Sequence, residues 1–186
     1  GLYIVDAQTG ALVWSVTPAS SSATNLQEQG LLHSVPAEVA VLDNNEDGTA
    51  YRIYFGDTGG NLWRVDLSGN MLPTASQNTW QINKLASVNG GSVGSDRRIF
   101  NRPDVVRVRL DGDAVDAIII GTGDRTNPNA TDVDNRIYMI SDRATVPYST
   151  VRPTPSECIG SEVIDFRCGW PISDSDLYDA TDNDIT

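Results

Sequence analysis

The chain has 186 residues, 39% of them hydrophobic and 20% charged, with 25 acidic against 13 basic residues and a formal net charge of −12. A chain of this size and composition has enough apolar content to fold around a core. Its acidic field repels phosphate backbones and anionic lipid, which argues against nucleic acid and membrane surfaces as partners and favours cations. No run approaches about 18 consecutive apolar residues, so no membrane insertion is expected.

Short β-branched and aromatic runs bounded by Gly, Asn and Asp recur in chain order, and helical periodicity is scarce. Strands are predicted at residues 2–5, 11–16, 38–42, 51–55, 61–66, 104–110, 114–121 and 136–141, which makes the class all-β. Gly1-Leu2-Tyr3-Ile4-Val5 reads as a strand already under way, and the expectation is a piece of a longer precursor whose targeting signal lies elsewhere. Residues 18–30, 73–94 and 127–134 are rich in Ser, Asn, Thr or Gly and read as loops. The stretch 147–186 is expected to be irregular and acidic, the rest of 1–186 belonging to one domain with it.

Three segments repeat a Gly or Asn, an alternating strand and an Asp: Gly1 to Asp6, Asn61 to Asp66 and Asn135 to Asp142. They recur at roughly 60–75 residues, longer than the about 40–50 of a usual propeller blade, so long loops are expected between blades. The architecture expected is a β-propeller with an incomplete ring, each small sheet burying its apolar face on its neighbour. A β-sandwich with long loops is the alternative.

The most specific chemical signal is Asp43-Asn44-Asn45-Glu46-Asp47-Gly48-Thr49, set between two predicted strands. Oxygen ligands at loop positions one, three and five, Gly at six and a carbonyl at seven wrap a calcium ion, which assigns Asp43, Asn45, Asp47 and the Thr49 carbonyl as ligands. Position nine is Tyr51 and position twelve Tyr54, so the ion is bound weakly unless Asp57 or another loop completes the shell. A plain Asx turn is the alternative. The shorter Asp111-Gly112-Asp113 turn reads as a two-residue hairpin turn. Gly121-Thr122-Gly123-Asp124 reads as a strand-end turn, since no helix N-terminus follows to cradle a phosphate.

No catalytic set stands out. His33 is the only histidine and no Gly-x-Ser-x-Gly elbow accompanies it, so it is read as a loop or packing residue. Trp14 and Trp63 lie in strand patterns and are expected in the core, whereas Trp80 and Trp170 are expected to be more exposed. Cys158 and Cys168 are the only cysteines, and a local disulfide between them would indicate an oxidising compartment; two buried thiols are the alternative.

Two resemblances follow from these residues. Asp6-Ala7-Gln8-Thr9-Gly10 with Trp14 resembles the tryptophan-docking repeat of quinoprotein-like propellers, in which Asp, Thr-Gly and Trp hold adjacent blades together. The order Ser34-Val35-Pro36-Ala37-Glu38, the Asp43–Gly48 loop, Tyr54-Phe55-Gly56-Asp57-Thr58-Gly59-Gly60-Asn61-Leu62-Trp63-Arg64-Val65-Asp66, Arg102-Pro103, Ile120 to Asp124 and Ile137 to Asp142 resembles the C-terminal propeller of the PilY1 family of type IV pilus proteins. That resemblance implies an exported, non-catalytic adhesin and assembly factor at the pilus tip or outer membrane surface, reached through the periplasm. It implies minor pilins or a host surface ligand as partners and Ca2+ at Asp43, Asn45, Asp47 and Thr49, with Tyr51 standing where the family often has Asp. The shared architecture leaves two alternatives: a pyrroloquinoline-quinone-dependent dehydrogenase, whose adjacent cysteine pair is missing here, and a receptor-type propeller like integrin repeats, which would carry several full calcium loops.

Overall fold

The structure, a computed structural model, describes residues 1–43, 47–67, 72–73, 79–110, 112–143 and 171–181. Eleven strands form three sheets among these residues, and none of the sheets closes on itself. The first sheet holds β1 (Leu2–Val5), β2 (Leu12–Thr17) and β3 (Asn25–Gln27). The second holds β4 (Ala40–Leu42), β5 (Arg52–Gly56), β6 (Asn61–Asp66), β7 (Gln81–Ser87) and β11 (Ile172–Ser173), in the order β11-β7-β6-β5-β4. The third is the meander β8 (Asp104–Leu110), β9 (Asp113–Gly121) and β10 (Ile137–Asp142). The all-β expectation is met, and every strand expected from the sequence is present with its ends within two residues.

Three further strands lie where no strand signal is present in the residue pattern. β3 and β7 fall inside segments read as loops, and β3 and β11 each add a parallel edge, to β2 and β7 respectively. β7 was obscured by its own geometry. Leu62 pairs with Ala86 and Trp63 with Lys84, so Leu85 is the extra residue of a bulge and the two-residue alternation of Gln81–Ser87 is broken. Trp80, expected to be exposed, is instead buried, its ring meeting that of Trp14 edge-on at 5.4 Å between centroids. It precedes β7 directly, and the pairing of that strand carries the indole into the core. Trp170, Cys158 and Cys168 lie outside the described residues.

The sheets stack in chain order, and they do so with a repeating sidedness. In the β5–β6 hairpin Phe55 pairs with Trp63 and Ile53 with Val65; in the β9–β10 hairpin Ile120 pairs with Tyr138 and Ile118 with Ile140. The first four side chains pack toward the first sheet, with Trp14, Val16, Leu2 and Ile4. The second four pack toward the second sheet, against Tyr54, Leu62, Ala40 and Leu85. Equivalent faces therefore point the same way. At the two ends of the stack the corresponding faces are open: Tyr3 and Val5 are exposed on the first sheet, and Ile119, Ile137 and Met139 on the third.

β5 and β6 are buried on both faces along their whole length. Strands covered on both sides normally read as continuous apolar runs. Here Arg52, Arg64 and Asp66 interrupt them.

Candidate functional site

The calcium-type loop joins β4 to β5. These strands are too short to be held by many ladder bonds, and the turn between them depends on side chains: Asp43 Oδ2 accepts the Gly48 amide at 2.8 Å, and Asp47 Oδ1 accepts the Thr49 amide at 2.7 Å. Gly48 takes a φ of +83°, in the left-handed region that the sharp turn at loop position six requires. Asp43 Oδ1 is shielded from solvent and has no hydrogen-bond partner. A carboxylate oxygen in that condition is costly unless a proton, water or cation meets it. Asn45 and Glu46 lie outside the described residues, and among the described residues no group of three or more His, Cys, Asp or Glu side chains converges as a metal would need. Asp43, Asp47 and Thr49 thus lie in one turn, and the orphaned oxygen suits a hard cation.

Asp57 does not complete the shell. It is fully buried and its carboxylate is used within its own turn, accepting the amides of Gly59 (2.8 Å) and Asn61 (3.1 Å), the Asn61 side-chain amide (3.0 Å) and the Trp63 indole N–H (2.7 Å). Gly60 at φ +73° closes this turn, and a Cβ there would sit 2.3 Å from the Arg97 carbonyl oxygen. Asp6 plays the same part between β1 and β2, accepting the amides of Gln8 and Thr9 and the Thr9 hydroxyl, with Gly10 at φ +72°. These bonds hold the Asp6 carboxyl below the usual carboxylate range, the Thr9 hydroxyl contributing most. Both turns deliver a tryptophan, Trp14 or Trp63, into the core between the first and second sheets.

His33 is exposed and lies across Gly59, where a Cβ would come within 2.2 Å of the imidazole. Leu110 pairs with Asp113, and Gly112 between them takes a φ of +91°, as a two-residue hairpin connection requires. Beyond β9 the Gly121-to-Asp124 segment is a strand-end turn, with Asp124 accepting the amide and hydroxyl of Thr126 and a 3.0 Å bond from Arg98. No phosphate cradle forms there.

The feature sequence reasoning missed is a buried ionic cluster between the second and third sheets. Arg52 Nε meets Asp66 Oδ1 at 3.2 Å and its Nη1 donates to Asp116 Oδ2; Arg64 bridges Asp66 and Asp142, each at 2.7 Å. The Tyr54 hydroxyl donates to Asp142 Oδ2 at 2.7 Å. All five charged side chains are at most 1% exposed. Asp116 and Asp142 face each other as cross-strand partners in the third sheet, a like-charge pairing that would repel were it not met by two guanidinium groups from the second. Arg107, 3.8 Å from Asp116 Oδ1 at the rim, adds a third positive charge against the three carboxylates. Burial opposes the charge on Arg64, and Asp142 followed by Asp66 outweighs it, so the guanidinium holds its proton more tightly than usual. Burial, followed by the charge of Asp142, pushes the Tyr54 phenol up. A signal was present in the sequence: Asp66 and Asp142 are the terminal acids of two of the recurring strand segments.

The acidic C-terminal segment adds a second tie between the same sheets. Asp174, just beyond β11, accepts the Tyr138 hydroxyl at 2.6 Å and pairs with Arg97 at 3.2 Å and Arg136 at 3.4 Å.

No family model and no curated protein matches this chain. Among solved structures it is similar to the C-terminal domain of Pseudomonas aeruginosa PilY1, with a TM-score of 0.54 and 23% sequence identity over 77% of this chain. The chain spans 31% of the length of that domain structure. The likeness is one of fold, and it falls on the relative whose family the motif order resembles.

Proposed function

We propose that this chain is a calcium-binding, non-catalytic segment of a propeller in a type IV pilus-associated surface protein of the PilY1 kind, serving in adhesion or pilus assembly. Two independent lines support the pilus association: the order of motifs from Ser34 to Asp142 and the fold likeness to the PilY1 C-terminal domain. The propeller reading is supported by the repeating sidedness of the stack, since equivalent faces meeting front to back is how blades pack around a ring. The open apolar faces at both ends then belong under further blades, in keeping with a relative of which the matched part covers only 31%. Location at the pilus tip or outer surface, and minor pilins or a host surface ligand as partners, follow from the same reading.

The observation that carries the calcium assignment is Asp43 Oδ1, buried without a hydrogen-bond partner beside Asp47 and the Gly48 turn. Asp43, Asn45, Asp47 and the Thr49 carbonyl would hold the ion, which would supply a fixed positive charge and an ordered turn. Calorimetry and thermal melting of the chain with calcium test it. A site with a dissociation constant of about 10⁻⁴ M adds about 2.7 kcal/mol at about 10 mM calcium. Exchanging Asp43 and Asp47 together for Asn should abolish both the heat and the added stability. No heat and an unchanged melting temperature at millimolar calcium contradict the assignment.

A further inference from the structure

Resting on that calcium assignment, we infer that ion occupancy of the Asp43 loop is coupled to docking of the third sheet, through the two strand ends that flank the loop. Leu42 and Arg52 are cross-strand partners where β4 and β5 emerge from it. Leu42 precedes the ligand Asp43 and packs against the apolar cluster between the second and third sheets. Arg52 follows Thr49 by three residues and carries its guanidinium into the buried ionic cluster, onto Asp66 and Asp116. Between them Tyr51 closes the hairpin, its amide donating to the Leu42 carbonyl at 2.9 Å, and the Arg52 guanidinium stands 5.2 Å from its ring centroid.

Both strands leaving the loop are therefore members of the interface with the third sheet. An ion drawing Asp43, Asp47 and the Thr49 carbonyl together fixes the spacing of those two strand ends. A hairpin that holds Arg52 in register with Asp116 is the hairpin the third sheet needs. Coupling of this kind is reciprocal: whatever loosens Arg52 from the third sheet must weaken calcium binding by the same factor as calcium tightens docking.

The experiment is calcium calorimetry on the wild-type chain, on Tyr54→Phe and Asp116→Asn in the cluster, and on Asp43→Asn in the loop, with melting curves for all four. Tyr54→Phe removes the bond to Asp142 while keeping the ring, and serves should Asp116→Asn fail to fold. The wild type is expected to bind, Asp43→Asn to lose the heat, and the folded cluster variants to bind about fivefold or more weakly. Calcium should also raise the melting temperature of the wild type by more than that of Tyr54→Phe. Folded cluster variants with wild-type calcium affinity overturn the coupling and leave the metal site standing. A wild type that binds no calcium overturns both.

Discussion

The two faces of the second sheet are closed by different chemistry. Toward the first sheet, Ile53, Phe55, Trp63 and Val65 meet Trp14, Val16 and Trp80, a contact of aromatic and aliphatic groups that tolerates any partner of similar shape. Toward the third sheet, apolar packing through Tyr54, Leu62, Ile118 and Ile140 surrounds a cluster in which two buried arginines meet three buried aspartates. The apolar face gains stability from area alone. The ionic face gains less than its short distances suggest, because desolvating the charges offsets much of their attraction, but it penalises any partner that fails to supply the matching charges. One contact is adhesive and the other selective.

Breaking the ionic face should produce the largest effect. Arg64→Met leaves Asp66 and Asp142 buried with a charge missing, and is expected to cost about 3–5 kcal/mol in chemical denaturation. Adding Asp142→Leu in the same chain should recover part of that loss, since removing both partners relieves the uncompensated charge. If the double variant is as unstable as the sum of the singles, the two residues are not coupled as described. On the apolar face, Trp14→Ala should cost about 3–5 kcal/mol, and Trp14→Phe considerably less because shape is largely kept. A Phe variant as damaging as the Ala variant would contradict a purely apolar contact.

A smaller effect separates the faces by pH. Burial holds the Tyr54 phenol protonated above its ordinary value near 10. The folded chain then keeps this proton when the unfolded chain has lost it, so the stability it contributes is complete below about pH 10 and declines above it, by about 1.4 kcal/mol per pH unit. Stability measured from pH 9 to 12 should fall less steeply in Tyr54→Phe than in the wild type. Equal slopes would show that Tyr54 is not sequestered in the interface. Asp57→Asn, which retains the shape of the turn at Trp63 but loses charged hydrogen bonding, is expected to cost about 1–3 kcal/mol, read as a lower melting temperature.

Much of this was legible in the chain. Period-two alternation located eight strands, and the Asp-Gly turn between Leu110 and Asp113 declared itself by residue type. The bulge at Leu85 hid β7 by breaking the alternation, and with it the burial of Trp80. β3 and β11, of three and two residues, are too short to carry a pattern, and they form because a neighbouring edge accepts them. At the candidate site, the spacing of Asp43, Asn45, Asp47 and Thr49 marks the loop, and Gly48 adopts the conformation that spacing demands. Asp57 could not be judged from sequence, because its isolation from the loop is a matter of which amides its own turn presents. The ionic cluster was hardest to see: its members lie up to 90 residues apart, from Arg52 to Asp142, and an arginine within a strand reads as solvent-facing until a second sheet covers it.

On the proposed coupling, calcium at the Asp43 loop fixes the surface formed where the second and third sheets meet. Amide hydrogen exchange of the chain with and without calcium tests this most directly. Calcium is expected to slow exchange in the Asp43–Gly56 hairpin and, in the same titration, along Asp113–Gly121 of β9. Protection confined to the loop, or no change in either segment at millimolar calcium, would contradict it.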